Sequence, residues 1–245
     1  MVVTTAQQAF ERYTEFFEQD RLIQADWHRT DNDGRQLACA LGVLGDDVAS
    51  PKDCPATVMP RWLAQMVPAF FDRQNREDAL DWGKRFYAAL ARIGGDVPFS
   101  VVHDWHANTV TVLGIDAATK RNRDTTPHLS LQALHQRALA GEKIGADEWR
   151  PVLNNADADA YANADADADA DAYANAYAYA NAHAYAHAYA DANAYADANA
   201  DAYADAYAYA YANAHADAYA YAWKRLADGM VEALLRVPAP AALAA

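Results

Sequence analysis

His103 and His106, in the run His103-Asp104-Trp105-His106, are the residues whose type and spacing come nearest to a recognisable chemistry. Three positions apart on a helix they share a face, and two imidazoles on one face bind a divalent metal when a third ligand arrives from elsewhere. His28, Cys39, Cys54 and His128 are the candidates for that third ligand, but no pair of them has a zinc-site spacing. Capping or surface histidines are the competing explanation. Cys39 or Cys54 also forms a triad on paper with His103 and Asp104, yet neither cysteine sits in a nucleophile-elbow or helix-start pattern. No GxxxxGK[ST] run and no GxGxxG after a strand is present, so nucleotide-dependent chemistry has no support. A metal-dependent enzyme built on His103 and His106 is therefore the third of three functional readings, and no cofactor is expected.

The other two readings come from residues 155 to 222. Every second residue there is Ala and its neighbour is always Asp, Asn, Tyr or His, through 34 consecutive dipeptides. This stretch holds thirteen Tyr, eleven Asp and no cation. The chain carries a formal charge of −14, of which residues 1 to 154 supply −4, the tract −11 and residues 223 to 245 +1. A surface this acidic repels nucleic acid and anionic lipid, so neither is expected as a direct ligand. A basic protein remains compatible.

On an extended backbone the two-residue period turns every methyl group to one side and every larger side chain to the other. On an α-helix the same pattern spirals in i, i+4 rows and leaves no consistently apolar face. Helix propensity costs a few tenths of a kcal/mol at each Asp, Asn, Tyr or His, about 20 kcal/mol in all relative to poly-Ala. Asp, Asn and Ala are in turn depleted from sheets. The alternation thus predicts an α+β chain: a helical amino-terminal bundle, then a β-solenoid or stacked sheet, then a short closing helix. Long Ala-rich helices, giving an all-α chain, are the alternative, and disorder is a third. The four partner residues share codons that differ only in the first base, so expansion of a six-base DNA repeat also explains the tract without structural selection.

Laddered on the outer face, Tyr177, Tyr179, Tyr185, Tyr189, Tyr207, Tyr209 and Tyr211 are adhesive, and an open sheet edge beside them templates another copy. The leading reading is accordingly a non-enzymatic structural protein whose repeat mediates self-association or filament formation, with itself as partner. Asp157, Asp159, Asp165, Asp167, Asp169 and Asp171 form the most acidic stretch and suggest the second reading, an acidic decoy that occupies a basic, nucleic-acid-handling protein. A solvated face is the plain explanation of that stretch. His183, His187 and His215 add weakening of association near pH 6 to the first reading.

The flanking segments read as helices. Phe10, Tyr13, Phe16 and Phe17 recur at helical spacing between Thr5 and Asp20, with Thr4 or Thr5 as cap. After the turn Asp31-Asn32-Asp33-Gly34, Leu37, Ala38, Leu41 and Leu44 predict a second helix that stops at Gly45. Trp62 to Phe71 supplies a third, kinked or restarted at Pro68, and Asn75 caps a fourth that ends at Gly94-Gly95. Val102, Trp105, Thr109, Leu113 and Ala117 predict a fifth across the β-branched run Val110-Thr111-Val112. Thr126-Pro127 opens a sixth that stops at Gly141. Leu226, Met230, Leu234 and Leu235 form the closing helix, which caps the repeat. The expected divisions are 1–154, 155–222 and 223–245. With no charged leader and no run of 18 apolar residues, a cytoplasmic location is expected and membrane partners are not.

The segments GRQLACAL, CPATVMPRWLA, AGEKIGADEWRPV and WKRLADGMVEALL resemble those of uncharacterised bacterial and phage proteins that carry a helical amino-terminal domain and a variable Ala-rich repeat. The resemblance implies the modular division and no activity, cofactor or site.

Overall fold

Thr5 ends the extended start of the chain by accepting the amide of Gln8 on its hydroxyl, and helix α1 (Ala6–Glu18) follows. The computed structural model describes residues 3–120, 122–164 and 216–240. These divide into two compact units, Met1–Pro98 with Met230–Ala245, and Phe99–Gly229.

In the first unit α2 (Arg61–Asp72) and α3 (Arg76–Ile93) pack with α1 around an aromatic core. Trp82 stacks on Phe86 at 4.8 Å and Tyr13 lies 5.2 Å from Tyr87. Both tyrosine hydroxyls are satisfied in that core, Tyr13 donating to the Leu80 carbonyl at 3.0 Å and Tyr87 to that of Ala40 at 2.6 Å. Pro68 sits inside α2 without ending it. Gly94 and Gly95, both with positive φ, terminate α3 as the sequence predicts.

The helix expected from Leu37 to Leu44 is absent. Instead β1 (His28–Thr30) pairs antiparallel with β2 (Gln36–Ala38), and a 3₁₀ turn spans Gly42–Leu44. Asp31 closes the hairpin: its carboxylate accepts the amides of Asp33 and Arg35 and the Arg35 guanidinium, while Gly34 takes the left-handed conformation. Strands of three residues are too short to display a two-residue period, so the apolar spacing beyond the turn mimics a helix.

In the second unit α4 (Ser100–Trp105) runs through a π-helical turn (His106–Val110) into α5 (Thr111–Lys120). Then come α6 (Thr126–Leu139), α7 (Ala146–Ala164) and α8 (Ala216–Arg236), whose residues from Met230 onward count with the first unit. There Arg92 donates to the carbonyls of Leu234, Leu235 and Val237 at 2.7–3.0 Å and closes the helix end.

The expected β-solenoid or stacked sheet is contradicted. Among the described residues the only sheet is the two-stranded hairpin, and both described ends of the repeat, 155–164 within α7 and 216–222 within α8, are helical. The fold among these residues is the all-α alternative. The physical reason lies next to the repeat: Trp149, Leu153 and Ala156 give α7 a buried stripe, as Ala220, Trp223 and Ala227 give α8. The alternation alone lacks such a stripe, so its neighbours supply it and Ala propensity carries the helix onward.

Gly229 marks a tight contact in α8, because a Cβ there collides with the side chain of Thr109. Helix propensity alone predicts that Gly229→Ala stabilises by about 1 kcal/mol. Steric overlap instead predicts a loss of about 1–3 kcal/mol in urea denaturation, eased in a Thr109→Ala background and removed in Thr109→Gly, because the Thr109 Cβ itself lies 2.7 Å from the added methyl.

Candidate functional site

The π turn is where α4 stops behaving as an ordinary helix. Thr111 donates its hydroxyl to the His106 carbonyl at 2.8 Å, five residues back, and Gln132 of α6 donates to the Ala107 carbonyl at 2.8 Å. The His106 carbonyl thus takes the Thr111 hydroxyl beside the Thr111 amide of the π turn, and the Ala107 carbonyl is paired from another helix. The β-branched run Val110-Thr111-Val112 falls at the end of this turn, consistent with the crowding such residues impose on a regular helix.

His103 and His106 converge on a third imidazole that the sequence did not single out, His135 of α6. His103 Nδ1 lies 3.1 Å from His135 Nδ1, so one of the two donates and the other accepts. His106 stacks on His135 at 4.3 Å and 13°. Trp149, near the start of α7, covers the group: its ring lies parallel to His103 at 5.8 Å and edge-on to His135 at 4.8 Å. Phe99 and Trp105 meet His103 and His106 edge-on. His106, His135 and Trp149 are buried, and His135 Nε2 has no hydrogen-bond partner among the described residues.

Burial lowers the proton affinity of His103. Burial lowers that of His135 well below the ordinary histidine range, with His106 and His103 adding to the effect. His103 and His135 are therefore neutral near pH 7 and behave as aromatic core with a polar edge.

Among the described residues no three His, Cys, Asp or Glu are arranged to hold a metal ion. The parallel stack of His106 on His135 directs their nitrogens alongside each other rather than toward one point. Of the other ligands considered, His28 Nε2 bonds the Gly42 carbonyl at 2.9 Å, Cys39 Sγ accepts the Gly42 amide at 3.4 Å, and His128 is buried on α6. Burial pushes the Cys39 thiol up to about 11 and the Cys54 thiol up to about 12, so both stay protonated and poorly nucleophilic.

Asp157 and Asp159 belong to the backbone of α7. Asp165, Asp167, Asp169 and Asp171, with Tyr177, Tyr179, Tyr185, Tyr189, Tyr207, Tyr209, Tyr211, His183, His187 and His215, lie outside the described residues. Compared with protein-family models, with curated proteins and with solved structures, the chain shows no match. Among the described residues no helix is long and apolar enough to cross a membrane.

A signal for His135 was present, since His128, Leu131 and His135 fall at i, i+3 and i+7 and all three are buried. That spacing marks one inward face.

The histidines also set a pH dependence. The folded affinity is depressed, so below the unfolded value of about 6.5 the unfolded chain binds protons that the folded chain does not, and stability falls as pH falls. The urea midpoint should drop between pH 7 and pH 5, less steeply in His135→Phe.

Proposed function

We propose that the chain is a non-enzymatic interaction protein in which a helical base holds both ends of the Asp/Asn/Tyr/His-Ala tract and the tract engages further copies of the same chain, inside a cell. The observation that carries this reading is the continuity of the tract with two helices of one compact unit. Its first residues extend α7 and its last residues open α8, and Ala156, Ala220 and Ala222 are buried where it joins. An insert fastened at both ends to a folded unit is suited to presentation rather than to building a catalytic cleft. Thirteen tyrosines supply contact area with little rotamer entropy to lose. The resemblance to proteins with variable Ala-rich repeats fits the same division between base and presented segment.

The second reading, an acidic decoy for a basic protein, draws on the eleven Asp and absent cations of the tract. Salt separates the two. Copies that each carry eleven carboxylates repel one another, so self-association should strengthen from 20 to 300 mM salt, whereas capture of a basic partner weakens over that range. Sedimentation velocity of the full chain, beside a variant lacking residues 165–215, is the test. Salt-strengthened oligomers that vanish with the deletion support self-association. A monomer at all salt concentrations and at high protein concentration overturns it.

A further inference from the structure

The histidine cluster has a position that its burial alone does not explain: it lies beneath the helix from which the tract departs. Trp149 is the first buried residue of α7, and the residues that precede it in that helix, Ala146, Asp147 and Glu148, are exposed. Its ring rests on His103 of α4 and His135 of α6. Leu153 and Ala156 continue the seated face directly into the alternating residues.

We propose that His103 and His135, with His106 stacked beside them, form a pH-operated latch, which seats Trp149 and the root of the tract while the bonded pair is neutral and releases them on acidification. This rests on the reading of the tract as the presented, interacting element, whose regulation it supplies.

The geometry gives the mechanism. The Nδ1···Nδ1 bond at 3.1 Å needs a proton on one nitrogen and a lone pair on the other. Uptake of one proton leaves imidazolium bonded to imidazole. Uptake of a second sets N–H against N–H and places two positive charges in one buried site, with the His106 ring stacked 4.3 Å away. Separation of α7 from α4 and α6 admits water and relieves both.

The charged groups on the surrounding elements do not offset this. Asp104 of α4 accepts from Asn108 at 2.9 Å, and Asp116 and Lys120 belong to α5. His128 shares α6 and is buried, and Arg137 of α6 is engaged by Glu142 and by Glu148 of α7. Asp147 and Arg150 of α7 are exposed, and Lys224 of α8 pairs with Asp228 at 3.0 Å. Burial alone accounts for His103, and burial with the neighbouring imidazoles accounts for His135; no carboxylate favours their charged forms.

Fluorine NMR of the full chain labelled with 5-fluorotryptophan tests the latch, with the Trp149 resonance assigned through Trp149→Phe. Between pH 7.5 and pH 5.0 the Trp149 resonance should move to its denatured position while that of Trp82, deep in the first unit, stays in place. In His103→Phe/His135→Phe it should stay in place throughout. An unmoving Trp149 resonance in the native chain, movement of Trp149 and Trp82 together, or a double variant that titrates like the native chain overturns the proposal. Should the double variant fail to fold by circular dichroism, the order of movement of Trp149 and Trp82 in the native chain decides. The readout is taken on dilute monomer, so loss of salt-strengthened association at pH 7.5 overturns the tract reading and leaves this result standing on its own.

Discussion

Ala, Asp, Asn, Tyr and His in strict alternation cannot assemble a hydrophobic stripe on a helix, and the ends of the tract depend on what larger residues beside it bury. Trp149 before the tract and Trp223 after it are both buried, Trp149 two turns ahead of the buried Ala156 and Trp223 directly after the buried Ala222. An alanine methyl contributes on the order of 1 kcal/mol when buried, whereas an indole covers 150–250 Å² and contributes several times as much. A helix also needs a costly first turn before propagation becomes favourable. The two indoles and the leucines beside them, Leu153 and Leu226, provide that turn within a packed unit.

This explains why a pattern with a two-residue period is helical where it is described. Period-2 sorting favours a strand only if one face finds a core to cover, and covering a core with methyl groups alone yields little. In α7 and α8 the buried positions follow the helical spacing of Trp149-Leu153-Ala156 and Ala220-Trp223-Ala227, and the alternating residues join a register already set. Trp105 reinforces the second of these by donating its indole N–H to the Leu226 carbonyl at 2.8 Å.

Much of the flanking fold is legible from residue spacing. Thr5, Gly94-Gly95 and Gly141 bound helices where sequence places those boundaries, because each acts through local chemistry: a hydroxyl cap or a left-handed backbone. The hairpin and the π turn were not legible. The hairpin follows from side-chain bonds of Asp31 to a loop, and the π turn from Gln132 reaching a carbonyl 25 residues away. Of the candidate site, His103 and His106 were found by their spacing, while His135 and Trp149 come from other helices and meet them only in three dimensions. Reading His128, Leu131 and His135 as one inward face is the step that sequence permits.

The central claim is that the tract leaves and re-enters one folded unit as helix, fastened by Trp149 and Trp223. Hydrogen exchange of the full chain, read by mass spectrometry over residues 149–156 and 220–227, addresses it most directly. The account predicts amide protection in both segments comparable to that of α6, extending into the first alternating residues. Exchange in either segment at the rate of an unstructured peptide, beside a protected α6, contradicts it.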